Sequence, residues 1–333
     1  MSSPPPTATR SVNERALGCL KGIATGDAIG KQTETLSRAG VLRWYPNGIH
    51  GFEGTPGTVI PRYAGNAKHE WRIGETTDDT EGTIAVARAI LQDGTARHEA
   101  IGRELLTCRK SVHPGVKSLW EFHQAGDPAR VTDRHDGCGA AIRVAPVGIL
   151  YRSRRLDDIV AAAREASVST HGGALALAAA AATAAAVSAA IDGASPAETI
   201  ELARYAAAQA ERQRTGGAYD TFAEALRAIH ADLRQRGEFQ PEGLAATYFP
   251  NDPLTIVPLA LTLGTVMESA EAAILLAANI GGDSDSVASI AGAILGARFP
   301  ETVNDEWYTV VDEVNGYGDE LPSLAEVLSE RRS

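Results

Sequence analysis

The sequence predicts an all-α protein built as a single domain, and three observations carry that prediction. Apolar residues recur three and four positions apart through most of the chain. The stretch from Ala174 to Ile191 is uncharged and mostly alanine. Alternating stretches of β type are few and short, the clearest lying within GTVIPRYAG at 57–65, and neither an internal repeat nor a Pro/Gly/Ser-rich linker longer than a turn divides the chain.

The expected helices follow in order. EGTIAVARAILQ (81–92) and LDDIVAAAREAS (156–167) show helical spacing. The alanine segment 174–191 is long enough to cross a membrane. Alanine contributes little transfer energy, however, and Thr183 and Ser188 dilute the rest, so it reads as a buried central helix that lets its neighbours approach closely. SPAETIELARYAAAQAERQ (195–213) begins with a capping box, Ser195 with Glu198, and has Pro196 in its first turn. DTFAEALRAIHADLRQ (220–235), PLTIVPLALTLGTVMES (253–269), AEAAILLAANI (270–280) and VASIAGAILGARF (287–299) complete the set, with PNDPLTIVP (250–258) breaking one helix and starting the next. The expected domain is 13–330. Residues 1–12 are expected to form a disordered tail, because MSSPPPTATR has three prolines and no apolar run of a signal peptide.

Composition narrows the function classes. With 333 residues, 44% of them hydrophobic, the chain can bury a sizeable core. A net charge of −11 argues against a nucleic acid or an anionic membrane as partner. The one basic cluster, YRSRRL at 151–156, reads as a solvated helix end. Cys19, Cys108 and Cys138 have neither zinc-site nor disulfide spacing, which fits a reducing cytoplasm. Of the eight histidines, His50, His69, His98, His113, His123, His135 and His230 show no paired spacing and are expected on loops or the surface.

Two short acidic stretches ask for more than structure. GETTDDTEG (74–82) carries Asp78 and Asp79, and GGDSDSVAS (281–289) carries Asp283 and Asp285, each at the start of an apolar-periodic segment with a hydroxyl nearby, Thr77 or Ser286. Each is readable as an N-cap: Asp78 with Glu81 makes a capping box, and Ser284 or Asp285 suits the start of the last helix. A cap uses one side-chain oxygen, whereas these sites supply four carboxylates and two hydroxyls, which repel unless a cation joins them. An all-oxygen, thiol-free set suits Mg²⁺ or Mn²⁺ rather than zinc or copper.

Five stretches in order, GDAIGKQTE (26–34), TDDT (77–80), GCGAAIRVAPVG (137–148), STHGG (169–173) and LLAANIGGDSDSVASIAGAILGA (275–297), resemble the motifs of the ADP-ribosylglycohydrolase family, dinitrogenase-reductase-activating glycohydrolases among them. The resemblance implies an orthogonal helical bundle with two Mg²⁺ or Mn²⁺ ions in a cleft, hydrolysing the glycosidic bond at the anomeric carbon of an ADP-ribose. Carried over by position, the metal ligands are Thr77, Asp78, Asp79, Asp283, Asp285 and Ser286, and the catalytic carboxylates are Asp285 and Glu34, either of which would take the proton of the attacking water. Substrate contacts fall on Asp27, Cys138, Gly139, His171, Gly281, Gly282 and Ser284. The partner is then ADP-ribose or an ADP-ribosylated substrate.

Two departures bear on that substrate. Many relatives carry Trp where this chain has Thr76, and Asn where it has Cys138. A thiol lacks the donor and acceptor pair of an amide, so two alternatives stand beside the first reading: an N-ribosidase acting on a nucleoside or nucleotide, and a non-catalytic ADP-ribose binder. The other reading of Cys138 is a small buried hydrophobe. The loop RYAGNAKHEWRIGE (62–75) is either a flap over the cleft or a solvated connection.

Overall fold

The computed structural model describes residues 10–110, 116–217, 220–237 and 239–333. Most of the segment expected as a tail, residues 1–9, and His113 lie outside the described residues. Ser11, in the remainder of that segment, already caps the first helix through a capping box with Glu14. At the other end Arg332 is buried and donates to the carbonyls of Gly148, Ile149 and Ser188, so the last residues are part of the packed body.

Among the described residues every regular element is helical, and the one antiparallel bridge joins Val59 to Arg72 inside the stretch expected to be least helical. The helices in order are α1 (Val12–Gly30), α2 (Arg38–Trp44), α3 (Asp78–Asp93), α4 (His98–Leu105), α5 (Lys117–Ala125), α6 (Gly139–Ile142), α7 (Ala145–Leu150) and α8 (Leu156–Ser167). They continue as α9 (Ala174–Ile191), α10 (Pro196–Thr215), α11 (Thr221–Arg236), α12 (Pro241–Thr247), α13 (Pro253–Val266), α14 (Ala270–Ile280), α15 (Ser284–Arg298), α16 (Asp305–Asn315) and α17 (Glu320–Glu330). The expected capping box opens α10, with Ser195 accepting from the Glu198 amide. The segment expected as one helix at 253–269 stops at Val266, and Ser269 caps α14.

The alanine helix α9 is buried among α6, α7, α8, α10 and α15, as its small side chains allow. It is the only described helix long and apolar enough to span a membrane, and it forms the centre of the bundle instead.

The second organising contact is between α1 and α15. Gly18, Gly22, Gly26 and Gly30 recur every fourth residue, so they form a stripe along one face of α1. A Cβ on Gly22 would lie 2.1 Å from the Gly292 carbonyl oxygen, and one on Gly26 would lie 2.4 Å from that of Ala288. Gly18 faces Gly296 while Gly30 faces Asp285, so the two helices run antiparallel at a separation that only glycine permits. This approach brings the C-terminal end of α1, with Asp27, against the first turn of α15, with Asp285. Helices α13 and α14 pack on the rest of α15, and α16 and α17 on α1.

Candidate metal centre

The two acidic turns face one cavity of about 340 Å³, lined by Glu34, Asp78, Asp79, Asp283, Asp285 and Ser286 among others. Neither turn uses these carboxylates as caps. Thr77 is the N-cap of α3, its hydroxyl accepting from the Asp79 amide at 3.2 Å. Glu81, the expected capping-box partner of Asp78, instead accepts from the amides of Arg109 and Lys110 at 2.8 and 2.9 Å. Helix α15 begins at Ser284, three residues before the expected start, so Asp285 and Ser286 stand in its first turn and its N-cap Asp283 makes no capping hydrogen bond.

Asp27 supports the 77–80 turn. Fully buried on α1, it accepts from the Thr77 amide at 3.0 and 2.9 Å on its two oxygens and from the Thr80 amide at 3.1 Å. One carboxylate oxygen from each of Asp27, Asp79 and Asp285 lies within 4.8 Å of the others. Asp79 Oδ2 is buried and has no hydrogen-bond partner among the described residues. A buried carboxylate oxygen without a donor is costly, and the three carboxylates of Asp27, Asp79 and Asp285 so close together suit a hard divalent cation.

The electrostatics agree with that fit. Burial, then the like charges of Asp27, Asp285, Asp78 and Asp283, hold Asp79 well above the usual carboxylate range. Burial and Glu34 do the same to Asp285, with Lys31 opposing. Burial pushes Asp78 up to about 6, against the pull of Lys31. Burial also raises Asp27, although the bonds from Thr80 and Thr77 counter it. Burial lowers Lys110, behind the site, despite Asp27, and its ammonium donates to Asn315 and to Thr76 Oγ1.

Glu34 is held at the cavity by groups that sequence reasoning missed. Lys31 is buried, donates to Glu34, and sits 3.7 Å from Asp285 Oδ2 and 4.4 Å from the Trp71 ring centroid. Burial alone would lower its pKa, but Glu34, Asp285 and Tyr63 outweigh that and keep the ammonium charged. The Tyr63 hydroxyl donates to Glu34 Oε2 at 3.2 Å, and Arg62 binds the carbonyls of Gln32 and Glu34. The following residue, Thr35, has φ +66°, a left-handed conformation costly for a β-branched side chain. Reciprocal backbone bonds tie this stretch to the GGD turn: Thr35 N to Gly282 O at 2.6 Å and Gly282 N to Leu36 O at 2.8 Å. Gly281 and Gly282 serve that turn with φ +83° and +69° rather than lining the cavity. The 62–75 loop is thus a brace for Glu34, with Trp71 and Tyr63 buried in a small cluster of their own.

Cys138 and His171 also line the cavity. The Cys138 thiol donates to Asp283 Oδ2 at 3.2 Å, and burial followed by that carboxylate pushes its pKa well up. His171 pairs with Ser118 at 3.1 Å and Thr170 at 2.7 Å, and burial, with Arg143 and His135 adding, depresses it well below the usual range, so it is neutral. A Cβ on Gly139 would lie 2.9 Å from the His171 ring. Ser284 turns away, its hydroxyl donating to Gly30 O at 2.9 Å, which ties α15 to α1. Thr76 also turns away, bonding Asn315 and Tyr317. PNDP does more than restart a helix, because Pro250 O accepts the Asp283 amide at 2.8 Å.

Residues 8–333 match the family model described as ADP-ribosylglycohydrolase. The chain is 30% identical to an uncharacterised protein of Archaeoglobus fulgidus over 86% of this chain and 88% of the other. It is 24% identical to the ADP-ribosyl-[dinitrogen reductase] glycohydrolase of Rhodospirillum rubrum, over 95% and 98% of the two chains. A solved structure titled ADP-ribosylglycohydrolase-related protein complex superimposes with a TM-score of 0.71 at 22% identity, covering 97% of this chain and 99% of that one, which shows the shared fold.

Proposed function

The chain belongs to the ADP-ribosylglycohydrolase family of hydrolases, and from that premise we propose that it is a divalent-metal-dependent enzyme releasing ADP-ribose from a protein side chain or a small acceptor. The observation that carries the proposal is the convergence of the Asp27, Asp79 and Asp285 carboxylates, together with the partnerless Asp79 Oδ2. Two Mg²⁺ or Mn²⁺ ions would be held by Asp78, Asp79, Asp283 and Asp285 with the hydroxyls of Thr77 and Ser286, and the working compartment is a reducing one in which Cys19, Cys108 and Cys138 stay thiols. When bound, such ions supply Lewis acidity toward a ribose diol and an attacking water.

The chain's own residues divide the remaining work. Glu34 is the proton acceptor, because it reaches the cavity with its carboxylate 26% exposed while Asp285 is buried within the acid cluster. Lys31 and Tyr63 fix its orientation, which spares the reaction the entropy of finding it. Neutral His171, both ring nitrogens engaged, shapes the wall against which the ribosyl group is held and does not act as an acid.

A second reading, hydrolysis of a smaller N-ribosyl compound, draws on Cys138. Its thiol is committed to Asp283, and Thr76 points away from the cavity, so two positions that distinguish this chain from many relatives offer a substrate less than Asn and Trp would. Incubation with Mg²⁺ and arginine-linked, serine-linked and nucleoside ribosides, reading released ADP-ribose or free base, separates the readings. Release that a chelator abolishes is expected for one class. No release from any of them by protein that binds Mg²⁺ would leave only a binder.

A further inference from the structure

We propose that the protein has a second ligand site, an arginine-lined cavity behind the catalytic wall that takes a phosphate-bearing molecule of nucleotide size. The cavity, about 870 Å³, lies on the far side of the 130–136 segment from the acid cluster: Asp133 and Arg134 line it, whereas His135 and Asp136 face the catalytic cavity. Gly172 and His171 divide between the two cavities in the same way.

Its charge is opposite to that of the chain. Arg130, Arg134, Arg164 and Arg214 line it against only Asp133 and Glu165, a surplus of two positive charges in a protein of net −11. The nearby carboxylates do not neutralise these arginines one for one. Glu121 alone serves Arg130 at 3.6 Å and Arg134 at 3.9 Å, and also Lys117 at 3.8 Å. Glu165 is engaged by the amide and Nδ1 of His98 at 3.0 and 2.7 Å and stands 3.8 Å from Arg164. Arg214 spends its donors on the carbonyls of Gly172 and Asp133. Those bonds fix the guanidinium in place, and the Asp133 carboxylate, 3.8 Å away, is its ion-pair partner.

Arg130 Nη1 is buried and without a hydrogen-bond partner among the described residues, so it would meet a ligand only by a turn of the side chain. Guanidinium groups gathered around a common space match phosphate oxygens, which accept several charge-assisted bonds at once. Val160, Val168 and Leu177 add an apolar side, so the cavity suits a phosphate joined to a ring rather than a bare ion.

Isothermal titration with AMP and with pyrophosphate, in chelator so that no divalent ion bridges phosphate to the acid cluster, tests this. AMP should bind one to one, and more tightly than pyrophosphate. The Arg134→Gln/Arg164→Gln variant removes two side chains that are 72% and 57% exposed and hold no backbone, so it should keep the wild-type Tm and lose about tenfold in AMP affinity. Arg164→Gln alone should lose part of that. The absence of AMP binding by the wild type, or binding that both variants retain unchanged, would overturn the proposal.

Discussion

Replacing Lys31 by methionine keeps most of the side-chain volume and removes one buried charge. The side chain is 8% exposed, and its ammonium touches Glu34 and lies 3.7 Å from Asp285 Oδ2; at an effective dielectric of about 20 that separation gives about 4.5 kcal/mol of attraction. The variant no longer buries an ammonium, but it leaves two carboxylates facing each other, and removing one partner of such a pair costs about 3–5 kcal/mol. An unfolding entropy of about 2.1 cal/mol/K per residue over 333 residues converts about 4 kcal/mol into a Tm lower by about 6 °C. Thermal melts in chelator should show that drop. Mg²⁺ should restore more of it in Lys31→Met than it adds to the wild type, because the exposed acid pair is then the stronger ligand. A variant melting within about 1 °C of wild type in chelator, or one that gains no more from Mg²⁺, would refute the assignment of Lys31 as the cluster's internal counterion.

Other outcomes follow from the same geometry. Asp78, pushed up to about 6 from 3.8, contributes stability that is full below the lower value and lost as pH rises through the upper, and Asp79 and Asp285 are raised further. The depressed His171, His123 and His230 oppose this slope as pH falls below their ordinary value of 6.5, with and without metal. The increment in Tm from Mg²⁺ over chelator isolates the carboxylates, and it should grow as pH rises through about 6; a constant increment would contradict the acid cluster as the binding site. Gly22→Ala places a Cβ 2.1 Å from the Gly292 carbonyl, forcing α1 off α15 at a cost of about 1–3 kcal/mol, and should also weaken the Mg²⁺ response, whereas Gly243→Ala, with nothing within 4 Å, should melt at or above wild type. Cys138, held protonated by burial and Asp283, should resist iodoacetamide at neutral pH in chelator, and rapid labelling seen by mass spectrometry would contradict its contact with that carboxylate.

Much of the fold was legible because long helices bury a continuous stripe. The limits of α8, α9 and α14 follow directly from apolar spacing, and Ser195 marks the start of α10. The extent of α1 was harder to read, since its four glycines lower helix propensity and make sense only once α15 lies against them. Short helices such as α6, α7 and α12 present too few turns to show a period. In the site, the acidic turns stand out because like charges cluster in sequence. Lys31 did not, because a lysine after a helix reads as solvated until its partner Asp285, distant in sequence, is brought beside it. Asp27 likewise gains its meaning from Thr77 and Thr80 across the bundle.

Metal-dependent hydrolysis by this chain requires hard divalent ions between the two acidic turns. Anomalous diffraction from crystals grown with Mn²⁺ locates them directly. Scattering peaks bounded by the carboxylates of Asp78, Asp79, Asp283 and Asp285 are the predicted result. Acid turns free of such peaks, with manganese ordered elsewhere or nowhere on the protein, would contradict it.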